Sequence, residues 1–335
     1  EGDQGIDAIA VGYVAGGVNQ GDRAVAIGRE SGRNDQGFST VAVGYFAGSA
    51  SQGSLATAVG YAAGHNAQGI SSVAVGNQAG QDSQGTNSVA VGLTAGQTSQ
   101  GASSVAVGHL AGYAAQGISS VAIGNSAGKL SQNTNSVAIG SLAGYGAQAA
   151  SSTAVGYGAG SADQGDNSVA VGVHAGRVAQ GVNSVAVGNS AGCGDQADSS
   201  VAIGQAAAQI GQGTKSVAVG YLSGYNVQGD NCVAIGPHAG SADQAAFGIA
   251  IGYFAGATAQ SSAALAVGYQ AGSGSQGADA TALGYLAGHA SQGQNATAVG
   301  RYAGFQTQGS NGVAVGNEAG ERYQSDGGVA IGNNA

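Results

Sequence analysis

Proline, cysteine and charged side chains are scarce in this sequence. Among 335 residues there are one proline (Pro237), two cysteines and only 7% charged residues. A collagen-like helix needs abundant proline and glycine at every third position, and the glycines here recur at other intervals, so that fold is excluded. A disordered chain is poor in apolar residues, whereas 43% of this chain is apolar. The composition therefore indicates an ordered protein.

Basic clusters and long hydrophobic runs are also absent. The net charge is −9, and the eight lysines and arginines are dispersed, so we expect no binding to nucleic acid. No apolar run approaches the length of about 18 residues that a membrane helix requires, so we expect no membrane insertion. The sequence shows neither a signal peptide nor a starting methionine, and no capping units, so we expect missing flanking domains or a partner stacked on the ends.

A phrase of sixteen residues repeats through the whole chain. The glycine that closes SVAVG recurs every sixteen residues from Gly12 to Gly332, which gives 21 repeats without an insertion. Alanine always lies two residues before this glycine, and glutamine always lies eight residues before it. Three positions of the repeat are therefore invariant within the chain.

The phrase predicts one turn of short strands per repeat. β-Branched residues at alternate positions favour a strand, and sixteen residues with two or three glycines cannot hold a pair of packed helices. Glycines at constant offsets mark the corners between strands. We therefore predict an all-β fold, a parallel β-solenoid or β-roll of 21 stacked turns, as one uninterrupted region over residues 1–335.

The SVAVG strand has two uncharged faces, one of valine and isoleucine and the other of alanine, serine and threonine. A strand that is apolar on both faces is usually buried on both, so we expect one face inside the solenoid and the other against another chain. We place the valines and isoleucines inside, and the core ladder includes Val73, Val75, Val89, Val91, Val105 and Val107. We place the alanines between chains, and this interface ladder includes Ala74, Ala90, Ala106, Ala122, Ala138, Ala154 and Ala170. An Ala154→Glu change is then expected to disrupt assembly more than folding.

The invariant glutamine predicts a structural row. Amides about 4.8 Å apart on successive turns can hydrogen-bond to one another and to the backbone of the adjacent corner. A binding row is the alternative, but a binding site is local and this feature is found on every turn. The row includes Gln4, Gln20, Gln36, Gln52, Gln68, Gln84, Gln100, Gln116, Gln132 and Gln148.

Catalytic and metal-binding patterns are weak. The five histidines lie turns apart, and aspartates that share a position, such as Asp163 and Asp195, are at least two turns apart, too far to share an ion or a proton. Cys193 and Cys232 are too far apart along the axis for a disulfide. We therefore expect no catalytic residues, no metal and no cofactor, and we do not expect an enzyme.

The phrase NSVAVG or NSVAIG, at residues 87–92, 135–140, 167–172 and 183–188, resembles the head repeat of trimeric autotransporter adhesins, which also recurs in phage and giant-virus fibre shafts. The resemblance implies a left-handed parallel β-roll, three chains side by side and an extracellular location. The adhesin repeat is shorter, and the additional residues lie in the segment AGxxxQG.

The expected function is an extracellular structural or adhesive rod, a fibre shaft or adhesin-head-like module on a cell or virion surface. The expected partner is the chain itself, in a homotrimer, and a cell-surface receptor or glycan is a further candidate. One alternative is a filament subunit that stacks end to end. A minor alternative is an ice-binding solenoid, for which the alanine row is the only candidate ice-binding face because threonine is sporadic.

Overall fold

The computed structural model describes residues 4–335, which fall into two compact units that divide between Asn167 and Ser168. Within the described residues every regular element is a short β-strand, and all pairings are parallel. The predicted all-β parallel β-solenoid with a sixteen-residue turn is confirmed. The prediction of one uninterrupted region over residues 1–335 stays a prediction.

The first unit contains twenty strands that alternate between two sheets. Odd-numbered strands have alanine at the centre and form the alanine sheet, and even-numbered strands end in glutamine and form the glutamine sheet. In chain order they are β1 (Ile9–Val11), β2 (Val18–Gln20), β3 (Val25–Ile27), β4 (Asn34–Gln36), β5 (Val41–Val43), β6 (Ala50–Gln52), β7 (Thr57–Val59), β8 (Asn66–Gln68), β9 (Val73–Val75), β10 (Asp82–Gln84), β11 (Val89–Val91), β12 (Thr98–Gln100), β13 (Val105–Val107), β14 (Ala114–Gln116), β15 (Val121–Ile123), β16 (Ser131–Gln132), β17 (Val137–Ile139), β18 (Ala147–Gln148), β19 (Thr153–Val155) and β20 (Ala162–Gln164).

The second unit continues both types of strand. Around Gln228 and Gln244 the glutamine strands are reduced to isolated bridges. The strands are β21 (Val169–Val171), β22 (Val178–Gln180), β23 (Val185–Val187), β24 (Gly194–Gln196), β25 (Val201–Ile203), β26 (Ile210–Gln212), β27 (Val217–Val219), β28 (Val233–Ile235), β29 (Ile249–Ile251), β30 (Ala259–Gln260), β31 (Leu265–Val267), β32 (Ser275–Gln276), β33 (Thr281–Leu283), β34 (Ser291–Gln292), β35 (Thr297–Val299), β36 (Thr307–Gln308), β37 (Val313–Val315), β38 (Tyr323–Gln324) and β39 (Val329–Ile331).

Successive turns pair with an offset of sixteen residues, so identical positions of the repeat lie beside one another. In the alanine sheet Val89 pairs with Val105 and Ala90 with Ala106, and in the glutamine sheet Gln100 pairs with Gln116. Since each strand has only two or three residues, its stability depends on the backbone hydrogen bonds to the turns before and after it.

Apart from the row of glutamines, the interior is built from small side chains. The central alanine of the alanine strands has no exposed surface from Ala26 to Ala314, and the serine or alanine two residues before it is also buried. The opposite wall comes so close that a Cβ atom placed on Gly112 would lie 3.3 Å from the Cβ atom of Ala106. Only methyl-sized groups fit in this space.

The predicted orientation of the SVAVG strand is therefore wrong. The valines placed in the core, Val73, Val75, Val89, Val91, Val105 and Val107, are partly exposed on the outside, whereas the alanines placed at the interface, Ala74, Ala90, Ala106, Ala122, Ala138, Ala154 and Ala170, are fully buried. The alternation predicts two faces correctly, but the interior beside the central alanine has no room for a branched side chain. An Ala154→Glu change would bury a carboxylate inside the solenoid and therefore disrupts folding before assembly. The buried alanine row is also not available as an ice-binding face.

The corners are formed by residues with positive φ. The invariant glycine after each alanine strand has φ between +119° and +135°, a conformation that only glycine adopts readily. Non-glycine residues occupy the left-handed region elsewhere, as Ser103 (φ 56°) and Leu110 (φ 57°) do. The backbone N–H of Ser103 donates to the carbonyl of Thr86 in the preceding turn at 2.8 Å, which helps to offset the conformational cost.

Candidate interaction surface

The outward side of the alanine sheet is the main apolar surface of each unit. We call it the valine/isoleucine face, and it consists of the first and third residues of the alanine strands. Its isoleucines are well exposed: Ile123 and Ile139 in the first unit and Ile235 in the second each expose 38–39% of their surface. In the first unit the face comprises Ile9, Val11, Val25, Ile27, Val41, Val43, Thr57, Val59, Val73, Val75, Val89, Val91, Val105, Val107, Val121, Ile123, Val137, Ile139, Thr153 and Val155.

This face carries no charge and is long and regular. The ten alanine strands of the first unit, spaced by about 4.8 Å, give a stripe about 50 Å long. With a width of about 10 Å it presents roughly 500 Å² of apolar surface, which is in the upper part of the range for the largest patch on a soluble monomer. Patches of this size commonly mark interaction sites.

A row of aromatic residues borders the valine/isoleucine face at the position after the invariant glycine. In the first unit the rings of Tyr45 and Tyr61 are stacked at 5.5 Å, and the guanidinium of Arg29 lies 5.5 Å from the ring of Tyr13 and 5.7 Å from that of Tyr45. The sequence places tyrosines on the exposed side, and their spacing of sixteen residues is the signal that they stack.

The invariant glutamines lie inside the solenoid, between the two sheets. Gln100 is typical: its Nε2 donates to the carbonyl of Val89 at 2.8 Å and to Oε1 of Gln116 at 3.1 Å. In the second unit consecutive side-chain bonds join the nine glutamines Gln180, Gln196, Gln212, Gln228, Gln244, Gln260, Gln276, Gln292 and Gln308. Among the predicted residues, Gln20, Gln36, Gln52, Gln68, Gln84, Gln100, Gln116, Gln132 and Gln148 are buried, and Gln4 is exposed. A buried row that bonds to its own backbone acts as structural support.

The acidic, basic and histidine side chains are spread over the outside of the solenoid. In the described part of the chain no three His, Cys, Asp or Glu side chains converge on a point where a metal ion could bind. Asp35 accepts a hydrogen bond from Asn19 at 2.8 Å, and His238 stacks on Phe254 at 4.4 Å. Burial lowers the pKa of His289, which stacks on Phe305. Residues 4–335 also include no helix with the length and hydrophobicity needed to span a bilayer.

The two cysteines have different surroundings. Cys232 replaces the buried serine that directly precedes an alanine strand, and its thiol lies 3.0 Å from the carbonyl of Ala245. Burial raises the pKa of the Cys232 thiol, and both cysteines are free. Cys193 is partly exposed at an outward corner.

We expect a thiol reagent at neutral pH to label one cysteine per folded chain and two per unfolded chain. Cys193 is accessible, whereas the Cys232 thiol is enclosed and remains protonated, which suppresses its reaction. The measurement is the labelling time course with mass spectrometry, and a Cys193→Ser variant is the control that should lose the fast phase. Equal labelling rates for the two residues would contradict the packed interior.

The comparison with protein families gives a match to the YadA head domain repeat. Two copies match, over residues 147–175 and 178–191. No curated protein matches the sequence. The match and the parallel solenoid together confirm the resemblance to the head repeats of trimeric autotransporter adhesins. Over these residues the chain is similar to an adhesin head repeat.

Proposed function

We propose that this protein is an extracellular structural rod whose chains associate side by side through the valine/isoleucine face. The exposed, uncharged stripe of branched side chains on each unit is the observation that carries the proposal. Burial of this stripe would stabilise an assembly by roughly 25 cal/mol per Å² of apolar surface, before the cost of association is subtracted.

A second copy of the chain is the partner that this face fits. The face has two rows of side chains with a constant spacing from turn to turn. The side chains of two copies can therefore interdigitate over many turns. The face has no charged group that would have to be paired on a partner surface. The similarity to the YadA head repeat supports three copies, a homotrimer.

The same similarity supports a position on a cell or virion surface. Binding to a receptor or glycan would use the variable outward positions, where the tyrosines, arginines and histidines lie. We propose no catalytic role, because the buried polar side chains are amides and hydroxyls that bond to the solenoid backbone, as Gln100 does to Val89 and Ser104 does to Gly101.

We expect Ile123→Glu to lower the mass of the assembly and Ile118→Glu to leave it unchanged. Ile123 lies on the valine/isoleucine face, and Ile118 is a more exposed isoleucine (55%) on a corner of the same turn. A carboxylate on the face would have to be desolvated in the interface, whereas at the corner it stays in water. The measurement is light scattering coupled to size-exclusion chromatography, with circular dichroism as the folding control.

The wild-type mass separates the possible assemblies. Three chains per particle would support the proposal, whereas filaments in negative-stain images would favour the end-to-end alternative. A wild-type monomer, or equal effects of the two substitutions, would reject association through this face.

A further inference from the structure

Three tyrosines of the second unit form a stack along the surface. The rings of Tyr253 and Tyr269 lie 5.4 Å apart with 18° between their planes, and those of Tyr269 and Tyr285 lie 5.1 Å apart with 10° between their planes. The spacing follows from the backbone, because residues at the same position of successive turns are held side by side by the alanine sheet. The phenol groups are therefore fixed as neighbours.

These tyrosines are open to reagents in solution. Each exposes 43–45% of its surface, which makes it accessible to a small oxidant or to the surface of an enzyme. With nearly parallel planes and centroids 5.1–5.4 Å apart, neighbouring phenol rings are positioned to react with each other once both are oxidised.

Apart from its ten other tyrosines, the chain offers few side chains that compete for oxidation. The sequence contains no tryptophan and no methionine, and one of its two cysteines, Cys232, is buried. Tyrosine is thus the main exposed side chain from which one electron can be removed, together with the single thiol of Cys193. An oxidising equivalent that reaches the second unit has no indole or thioether to trap it.

We propose that the stack of Tyr253, Tyr269 and Tyr285 is a site of oxidative tyrosine cross-linking between successive turns. A haem peroxidase that uses hydrogen peroxide would take one electron and one proton from each of two neighbouring phenols. The two phenoxyl radicals then form a carbon–carbon bond between ortho positions, and the two ring hydrogens move to the oxygens to restore the phenols. The sum is two tyrosines and one hydrogen peroxide giving one dityrosine and two waters.

The dityrosine would add a covalent cross-link between turns whose side-by-side contacts are otherwise non-covalent. A link between Tyr253 and Tyr269 closes a loop of sixteen residues, in the manner in which a disulfide restricts the unfolded chain. Both cysteines of the chain are free, so no disulfide supplies this constraint. The inference depends only on the stacking within one chain, and it holds whether or not chains associate through the valine/isoleucine face.

The test treats dilute full-length protein, with Cys193 alkylated, with peroxidase and hydrogen peroxide. Dityrosine is measured by its fluorescence, and the linked residues are identified by mass spectrometry after denaturation and proteolysis. A mixture of isotopically light and heavy chains distinguishes links within a chain from links between chains. We expect peptides that join residue 253 to 269 and residue 269 to 285, within one isotope label.

Two variants give the matched comparison. Tyr269→Phe keeps the ring but removes the phenol from both pairs, so these links should be lost, while the link between Tyr45 and Tyr61 remains. Tyr221→Phe is the control, since Tyr221 has the same position in the repeat and a similar exposure of 48%, but Gln205 and Pro237 occupy that position in the adjacent turns. Links that join mainly light to heavy chains, or a yield that Tyr269→Phe does not lower more than Tyr221→Phe, would overturn the proposal.

Discussion

Replacing Gly108 by alanine should destabilise the solenoid far more than the same replacement at Gly112, four residues later. Gly108 has φ of +131°, and a Cβ atom there would lie 2.5 Å from the carbonyl oxygen of Gly124 in the next turn. Neither atom can move without separating the two turns, because the Gly124 N–H also donates to the carbonyl of Val107. We expect a loss of at least about 3 kcal/mol from strain and broken hydrogen bonds.

An alanine at Gly112 should cause less strain than one at Gly108. Its φ of +52° lies in the left-handed region, which costs alanine about 1–2 kcal/mol. A Cβ atom there would meet the side-chain oxygen of Gln116 at 2.7 Å, at the far end of a flexible side chain. The chain itself shows that this position accepts alanine: Ala208 occupies it with φ of 46°, and its N–H still donates to the carbonyl of Ser223 at 2.9 Å.

The measurement is the midpoint of guanidinium unfolding for both variants, together with hydrogen exchange resolved by peptide. The Gly108→Ala variant should lose exchange protection in the turns that contain residues 105–128, and Gly112→Ala should keep it. Similar midpoints for the two variants would show that the close approach of successive glycines does not limit the fold.

Replacing Gln292 by glutamate should cause the second large loss of stability, and the loss should depend on pH. Gln292 is 2% exposed, its Nε2 donates to the carbonyl of Thr281 at 2.7 Å and to Oε1 of Gln308 at 3.1 Å, and its Oε1 accepts from Gln276. A carboxylate has no N–H to donate and would place a charge beside the Thr281 carbonyl. We expect a cost of roughly 3 kcal/mol or more at neutral pH.

The direction of the pH effect follows from burial. Desolvation would raise the pKa of the introduced carboxyl in the folded state above its unfolded value, so the variant binds a proton more readily when folded. Its stability deficit should therefore be full above the folded pKa and shrink as the pH falls below it. Unfolding midpoints measured from neutral to acidic pH check this, relative to wild-type protein at each pH.

The matched control is Gln294→Glu, two residues away. The side chain of Gln294 is exposed, so this change adds the same charge in water and should alter stability by no more than about 0.5 kcal/mol. Equal unfolding midpoints for the two variants would show that the buried glutamine row does not stabilise the fold.

The candidate surface was only partly predictable from the sequence. The uncharged outer face and the exposed tyrosines are both visible as positions of the repeat, because charge and variability are local properties. The stacking of Tyr269 between Tyr253 and Tyr285 depends on how closely successive turns approach, and the contact between the Cys232 thiol and the Ala245 carbonyl depends on the path of the next corner. These are contacts between residues at least thirteen positions apart.

By itself the sequence determined the fold class, the sixteen-residue turn and the alternation of two apolar faces, because a strict repeat with β-branched residues at every second position has few other ways to pair its backbone. It could not determine which face lies inside, since alternation is symmetric between the two. The tertiary structure decided this. Corners with positive φ and close glycine contacts bring the two sheets so near each other that only the methyl group of Ala106 and its equivalents fits beside the glutamines. The larger valines and isoleucines are therefore on the outside, where they form the surface proposed to bind another copy of the chain.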